Sequence, residues 1–257
     1  MRASSPRRGR PLAVAATGAL LALSLTASGT FAVAVRPASS VGSPAPAAMG
    51  LPAWNGGMDL YRPGVFATQQ TWWWCQATAA QIMRNIVYGL EDHSATTQRR
   101  IFNYMRANQR YAFPYGYGTD PQGWAAGMAL YVDKSYRLYT YSSYDTALKE
   151  AVTRMRLAQL PVSVLVMTGY HTWVLHGFTA TADPAVTSDF TVTSVRVSGP
   201  LYGKAGNNYD PPPDTKLSTA AFKAYFKPFD FAPVRMVWQG QYMTVQPIPR
   251  AGYVESL

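Results

Sequence analysis

The stretch TWWWCQATAAQIMRNIVYG, residues 71–89, carries the reading from which the fold follows. Cys75, Ala79, Ile82, Met83 and Ile86 recur at helical spacing, and Gly89 stands where a helix can end in a left-handed residue. The spacing predicts a helix with one apolar face and with the only cysteine of the chain in or beside its first turn. Three more helices are expected downstream. Ser94 can cap one bearing Ile101 and Met105, Pro121 opens another through QGWAAGMALYV, and a fourth carries Leu148, Val152 and Met155 until Pro161 stops it. Past Pro161 the period changes: PVSVLVM, HTWVLHGFTA and FTVTSVRVS are rich in Val, Thr and aromatic residues and read as strands. Ser218 can cap a short helix with Phe222 and Phe226, and MVWQGQYMTVQP reads as a hairpin turning at Gln239-Gly240. Helices first and strands later is the order of an α+β domain, not of a parallel α/β sheet.

The chain has 257 residues, 48% apolar and 14% charged, enough for one sizeable core. Arg2, Arg7, Arg8 and Arg10 precede an uncharged run that reaches Val35, the pattern of a secretory signal, with a cut expected after Ala34. An uncleaved anchor is the competing reading, because the run from Pro11 is long enough to span a bilayer. Residues 35–57, rich in Pro, Ala, Ser and Gly, read as a tether, which leaves 58–257 as the folded domain. Four of the 23 basic residues lie in the leader, so the remainder carries 19 against 13 acidic ones, a net charge of about +6. These charges are scattered; they fit a solvated surface with some affinity for anionic polymers such as a cell wall, not a nucleic-acid footprint. A lone cysteine forms no intramolecular disulfide. An exported monomer without stable membrane insertion is the expectation.

A buried cysteine on an apolar helix face is ordinarily a small piece of core. The start of a helix is different, since its unpaired N–H groups and positive dipole end favour a thiolate. A sulfur nucleophile also needs a base, and the chain offers only His93, His171 and His176. His93 sits in a polar turn. His171 and His176 share one expected strand at a separation of five, so they face opposite sides and only one can meet the thiol. His171, at the strand entrance beside Gly169 and Tyr170, is the better placed, whereas His176 in mid-strand reads as a satisfied core residue. Gln69, six residues before Cys75, can supply a side-chain amide toward a developing oxyanion together with the Cys75 N–H; Gln70 is the fallback. Of Trp72, Trp73 and Trp74, at least one is expected in the core.

The combination of Q-x5-C opening an apolar helix and H-x-W-V-x-x-G-F opening a strand about a hundred residues later resembles the papain-like cysteine peptidases, and within them the C39-like group of exported bacterial proteins. The similarity covers roughly residues 60–250. It implies a helical half carrying Cys75 as nucleophile, a sheet half carrying His171 as general base and acid, and Gln69 as oxyanion donor in the cleft between them. It also implies a peptide or protein substrate and no cofactor; no His, Cys and carboxylate set has metal-ligand spacing. Two departures stand out. Gln76 follows the cysteine where relatives carry Gly or Trp, and Gly199 occupies the place of the Asp or Asn that orients the imidazole, often directly before a proline. An equal-length hairpin would set Ser198 opposite His171; Ser198, a backbone carbonyl, Asn207 or Asn208 could then orient the ring, while Asp183 lies too far away. Gly199 keeps open a second class, a catalytically silent papain-like module that binds a peptide, wall polymer or partner protein. An NlpC/P60-type hydrolase ranks below both, since its Asp-Cys-Ser/Thr-Gly nucleophile context is absent.

Overall fold

The computed structural model describes residues 50–114, 116–206, 210–234 and 236–249; the expected leader and most of the expected tether lie outside them. A short strand, β1 (Gly57–Asp59), precedes three helices, α1 (Cys75–Tyr88), α2 (Ala95–Ala107) and α3 (Pro121–Tyr131). Strand β2 (Tyr136–Tyr141) and helix α4 (Tyr144–Ala158) follow, then β3 (Val162–Val166), β4 (His171–Ala180), β5 (Val192–Ser198), β6 (Thr215–Ser218), the short helix α5 (Thr219–Lys223) and β7 (Tyr242–Pro247). Local chemistry sets the helix ends. Gly89 closes α1 at φ 72°, and Ser94, Asp120, Ser143 and Ser218 each accept a first-turn N–H as N-caps of α2 to α5.

All strands pair antiparallel in the order β2-β7-β3-β4-β5-β6, with β1 added to β4. Mixed helix and antiparallel sheet is the α+β class expected from the order of periods. Helices cover both faces of the sheet. On one face Ile82, Met83, Ile101, Phe102, Trp124 and Met128 of α1 to α3 pack with Leu165, Val174, Met243 and Val245. On the other, Leu148, Val152 and Met155 of α4 join Val164, Trp173, Leu175, Phe178, Val195 and Val197, together with Phe222 and Phe226. Each fully buried large apolar side chain contributes about 1.5–3 kcal/mol. Double coverage also explains why β3 is buried at every position instead of alternating.

Three expectations require correction. The terminal segment MVWQGQYMTVQP is not a hairpin. Residues 236–240 form turns tied to Phe229, and only Tyr242–Pro247 is a strand, running between β2 and β3. Its partners come from distant sequence, which a local alternation pattern cannot reveal. Second, Ser198 lies opposite Val174, not His171, because the β4–β5 turn closes with Ala180 opposite Val192, and the two register shifts along the pair cancel; the residue paired with His171 is Val166 of β3. Third, the folded body begins upstream of Met58. Trp54 packs against Phe178 at 5.9 Å, and the buried Arg156 binds the Pro52 carbonyl at 2.7 Å while its guanidinium grips both oxygens of Asp183 at 2.9 and 2.8 Å. Asp183 is thereby accounted for as a structural partner. No described helix is long and apolar enough to cross a membrane.

Candidate active site

Cys75 is the first residue of α1. Its N-cap, Trp74, offers no side-chain acceptor, so the first-turn N–H groups point outward without a local cap, and Thr78 makes the first intrahelical bond to the Trp74 carbonyl at 2.8 Å. Below that turn the helix is anchored by Ala77, Ala79, Ile82 and Met83, all fully buried. The sulfur, 8% exposed as a residue, lies 3.9 Å from the Thr172 hydroxyl, at the entry of β4.

His171 opens β4 and is 3% exposed. Its Nε2 lies 2.8 Å from Asp210 Oδ2, which leaves Nδ1 as the ring nitrogen open to another partner, and Cys75 is near enough to influence the ring. Burial alone would favour the neutral ring, but the hydrogen bonds and charges of Asp210 and Cys75 outweigh it and raise His171 to about 9. The ring is therefore an imidazolium at neutral pH, flanked by sulfur on one side and carboxylate on the other. Of the other two histidines, His93 is exposed and contacts the Gly64 carbonyl at 2.7 Å, and His176 is fully buried with Nε2 3.1 Å from Ser198 Oγ.

Asp210 is the partner of His171 that the sequence reading missed. The Trp173 indole N–H donates to its Oδ1 at 2.7 Å, and the Leu201 N–H and His171 both bind Oδ2, at 2.7 and 2.8 Å. Gly199 makes this possible. A Cβ there would fall 2.3 Å from Asp210 Cγ and 2.7 Å from the Trp173 indole nitrogen, so the carboxylate occupies the space a side chain at 199 would need. The orienting group thus arrives from a later loop, through a gap left by glycine, and not from the strand end. Ser198 is not that group, because its hydroxyl is engaged with His176 and the Asp214 N–H. Asn207 and Asn208 lie outside the described residues. A signal was present: Asp210 stands directly before Pro211, eleven residues beyond Gly199.

Gln69 is buried, 1% exposed, on a loop stitched to the segment that carries Gly199. Its N–H donates to the Pro200 carbonyl at 2.8 Å, Thr68 Oγ1 donates to the Tyr202 carbonyl at 2.9 Å, and Lys204 reaches the Gln70 carbonyl at 2.9 Å. The side-chain amide donates to the Thr71 carbonyl at 2.7 Å, leaving one of its two N–H groups for another acceptor. Gln70 is exposed and its amide turns back to the Thr68 carbonyl. Trp73 and Trp74 pack against the helical core, whereas Trp72 is 53% exposed. In front of Cys75 lies a small cleft lined by Gln76, Phe113, Tyr117, Tyr170, Thr172 and Phe229. Gln76 builds its wall: the amide accepts from the Thr119 N–H at 3.0 Å and donates to the Thr119 carbonyl at 3.1 Å, clamping Thr119 to the helix start.

No family model matches the chain, and no curated protein or solved structure matches it at a significant level.

Proposed function

We propose that the chain is an exported, papain-like cysteine hydrolase of a peptide or related amide bond, resembling the C39-like group. The observation that carries this reading is the buried His171–Asp210 pair at the entry of β4, next to Thr172, whose hydroxyl lies 3.9 Å from the Cys75 sulfur at a helix N-terminus. In this mechanism Cys75 Sγ attacks the amide carbon, and charge moves onto the carbonyl oxygen, where the Cys75 N–H and the free N–H of the Gln69 amide are the donors. His171 passes its proton to the departing amine as the C–N bond breaks, leaving an acyl thioester. Water then attacks the thioester, its proton returns to His171, and the acid is released with the thiolate. Asp210 and Trp173 are positioning residues: they hold the imidazole and touch no substrate.

Labelling with a peptidyl vinyl sulfone or epoxide tests the reading. One equivalent of probe on Cys75 is expected by peptide mapping, with hydrolysis of a peptide library by the wild type and a loss of about a thousandfold or more in Cys75→Ala. A thiol that ignores the probe while reacting with a small alkylating agent at alkaline pH only would overturn it. A second reading, a silent module that binds its ligand through the same cleft, is favoured by one observation, the Gln69 amide already donating to the Thr71 carbonyl. Ligand capture unaffected by His171→Ala, without turnover of any library member, would decide for that module.

A further inference from the structure

A second polar cluster lies elsewhere along β4 and takes no part in the chemistry above. Asp59 of β1, His176 of β4 and Asp214, just before β6, each bring one ligand atom to within 4.8 Å of the others. His176 is fully buried, with Nε2 held 3.1 Å from Ser198 Oγ; its Nδ1 makes no hydrogen bond, and lies 3.5 Å from Asp59 Oδ1 and 3.9 Å from Asp214 Oδ1. With Nε2 engaged by Ser198, Nδ1 is the ring nitrogen turned toward the two carboxylates, so one nitrogen and two carboxylate oxygens face a common point. The carboxylates themselves are 39% and 30% exposed, which gives an ion and its waters a way in. Residues 59, 176 and 214 are too far apart in sequence to form a spacing motif.

We propose that Asp59, His176 and Asp214 form a binding site for a divalent transition metal of the zinc type. An imidazole nitrogen with two carboxylate oxygens is a donor set that suits zinc over magnesium or calcium. Tetrahedral zinc needs ligand atoms roughly 3.4 Å apart, so the His176–Asp59 spacing is already suitable, while Asp214, 3.9 Å from the ring nitrogen and within 4.8 Å of Asp59, has to move inward on binding. Ser198 supplies the outer contact that fixes the ring through its second nitrogen. Arg196 is the competitor. Its Nε lies 3.2 Å from Asp59 Oδ2 and its guanidinium 2.6 Å from Asp214 Oδ1, so the metal takes Asp59 Oδ1, which also accepts the Tyr61 N–H at 2.9 Å, and must displace the guanidinium from Asp214. Bound metal would cross-link β1 to the centre of the sheet, joining three segments remote in sequence.

Zinc titration by calorimetry on the full chain carrying Cys75→Ala, which removes the competing thiol, tests the site, together with the imidazole nitrogen shifts of His176. The expected result is one zinc per chain, a shift at His176 Nδ1, and affinity lower by on the order of tenfold or more in each of Asp59→Asn and Asp214→Asn. Arg196→Gln is expected to tighten zinc binding, a sign that a purely structural ion-pair network would not give. Absence of stoichiometric binding, or binding indifferent to Asp59→Asn and Asp214→Asn, overturns the proposal. Asp59 lies on a short, partly exposed strand, so its variant keeps the test meaningful if the Asp214 or Arg196 change disturbs folding.

Discussion

Gly199 and Asp210 act as one unit. The carboxylate that orients His171 fits only where residue 199 has no side chain, so Gly199→Ala is expected to push Asp210 away from the imidazole. A displacement of about 1 Å is enough to cost about a hundredfold in rate. Under the proposed mechanism the loss falls on kcat with KM little changed, and steady-state kinetics on a cleaved peptide checks it; wild-type kcat in Gly199→Ala would refute the role of Asp210. The histidine makes a separate prediction that needs no substrate. In the folded protein His171 keeps its proton up to about 9, against 6.5 for an ordinary imidazole. Between those values the native state binds more protons than the unfolded chain, so this contribution to stability is complete below about 6.5 and is lost as pH rises through about 9. Urea unfolding across that window is expected to show a steeper decline in the wild type than in His171→Gln, and parallel slopes would count against the raised value.

Helix ends and the loops they hold shape the cleft. Asp120 is fully buried and caps α3 through the Gly123 N–H at 2.7 Å while its other oxygen accepts the Arg110 and Tyr111 N–H groups at 2.8 and 2.7 Å. Asp120→Ala would leave the buried Gly123 N–H and the part-buried Arg110 and Tyr111 N–H groups without this acceptor, a cost of about 1–3 kcal/mol for a buried group left unsatisfied. The urea midpoint is expected to fall by far more than in Ser143→Ala, where one exposed cap on α4 is lost at about 1 kcal/mol. Equal shifts would mean that the 109–120 segment repacks freely. Gln76 belongs to the same wall. Its amide pairs with both backbone polar groups of Thr119, which neither Gly nor Trp at position 76 could do.

Across the molecule, one sheet covered on both faces joins segments that the chain keeps far apart. Arg156 illustrates the consequence, because it ties α4 to the turn after β4 through Asp183 and to the upstream segment through the Pro52 carbonyl. Breaking such a buried pair from one side costs about 3–5 kcal/mol. Arg156→Ala is expected to lower the thermal midpoint and to expose residues 50–56 to protease. A midpoint insensitive to Arg156→Ala would show that the upstream segment is not part of the cooperative unit.

Read locally, the chain was already informative about its helices, their caps and stops, the three strands β3 to β5, and Cys75 and His171 as candidates. Those features depend on neighbours within a few residues: apolar recurrence every three to four positions, a serine or aspartate before a helix, a rare residue type at an element's start. The order of β7 between β2 and β3, the bulged register that sends Ser198 to His176, and the arrival of Asp210 in the gap at Gly199 came from folding alone. Each is a contact between residues far apart in sequence, fixed by which apolar faces must be covered and by which backbone and side-chain groups must find partners once buried. Pattern along the chain carries no term for such pairings.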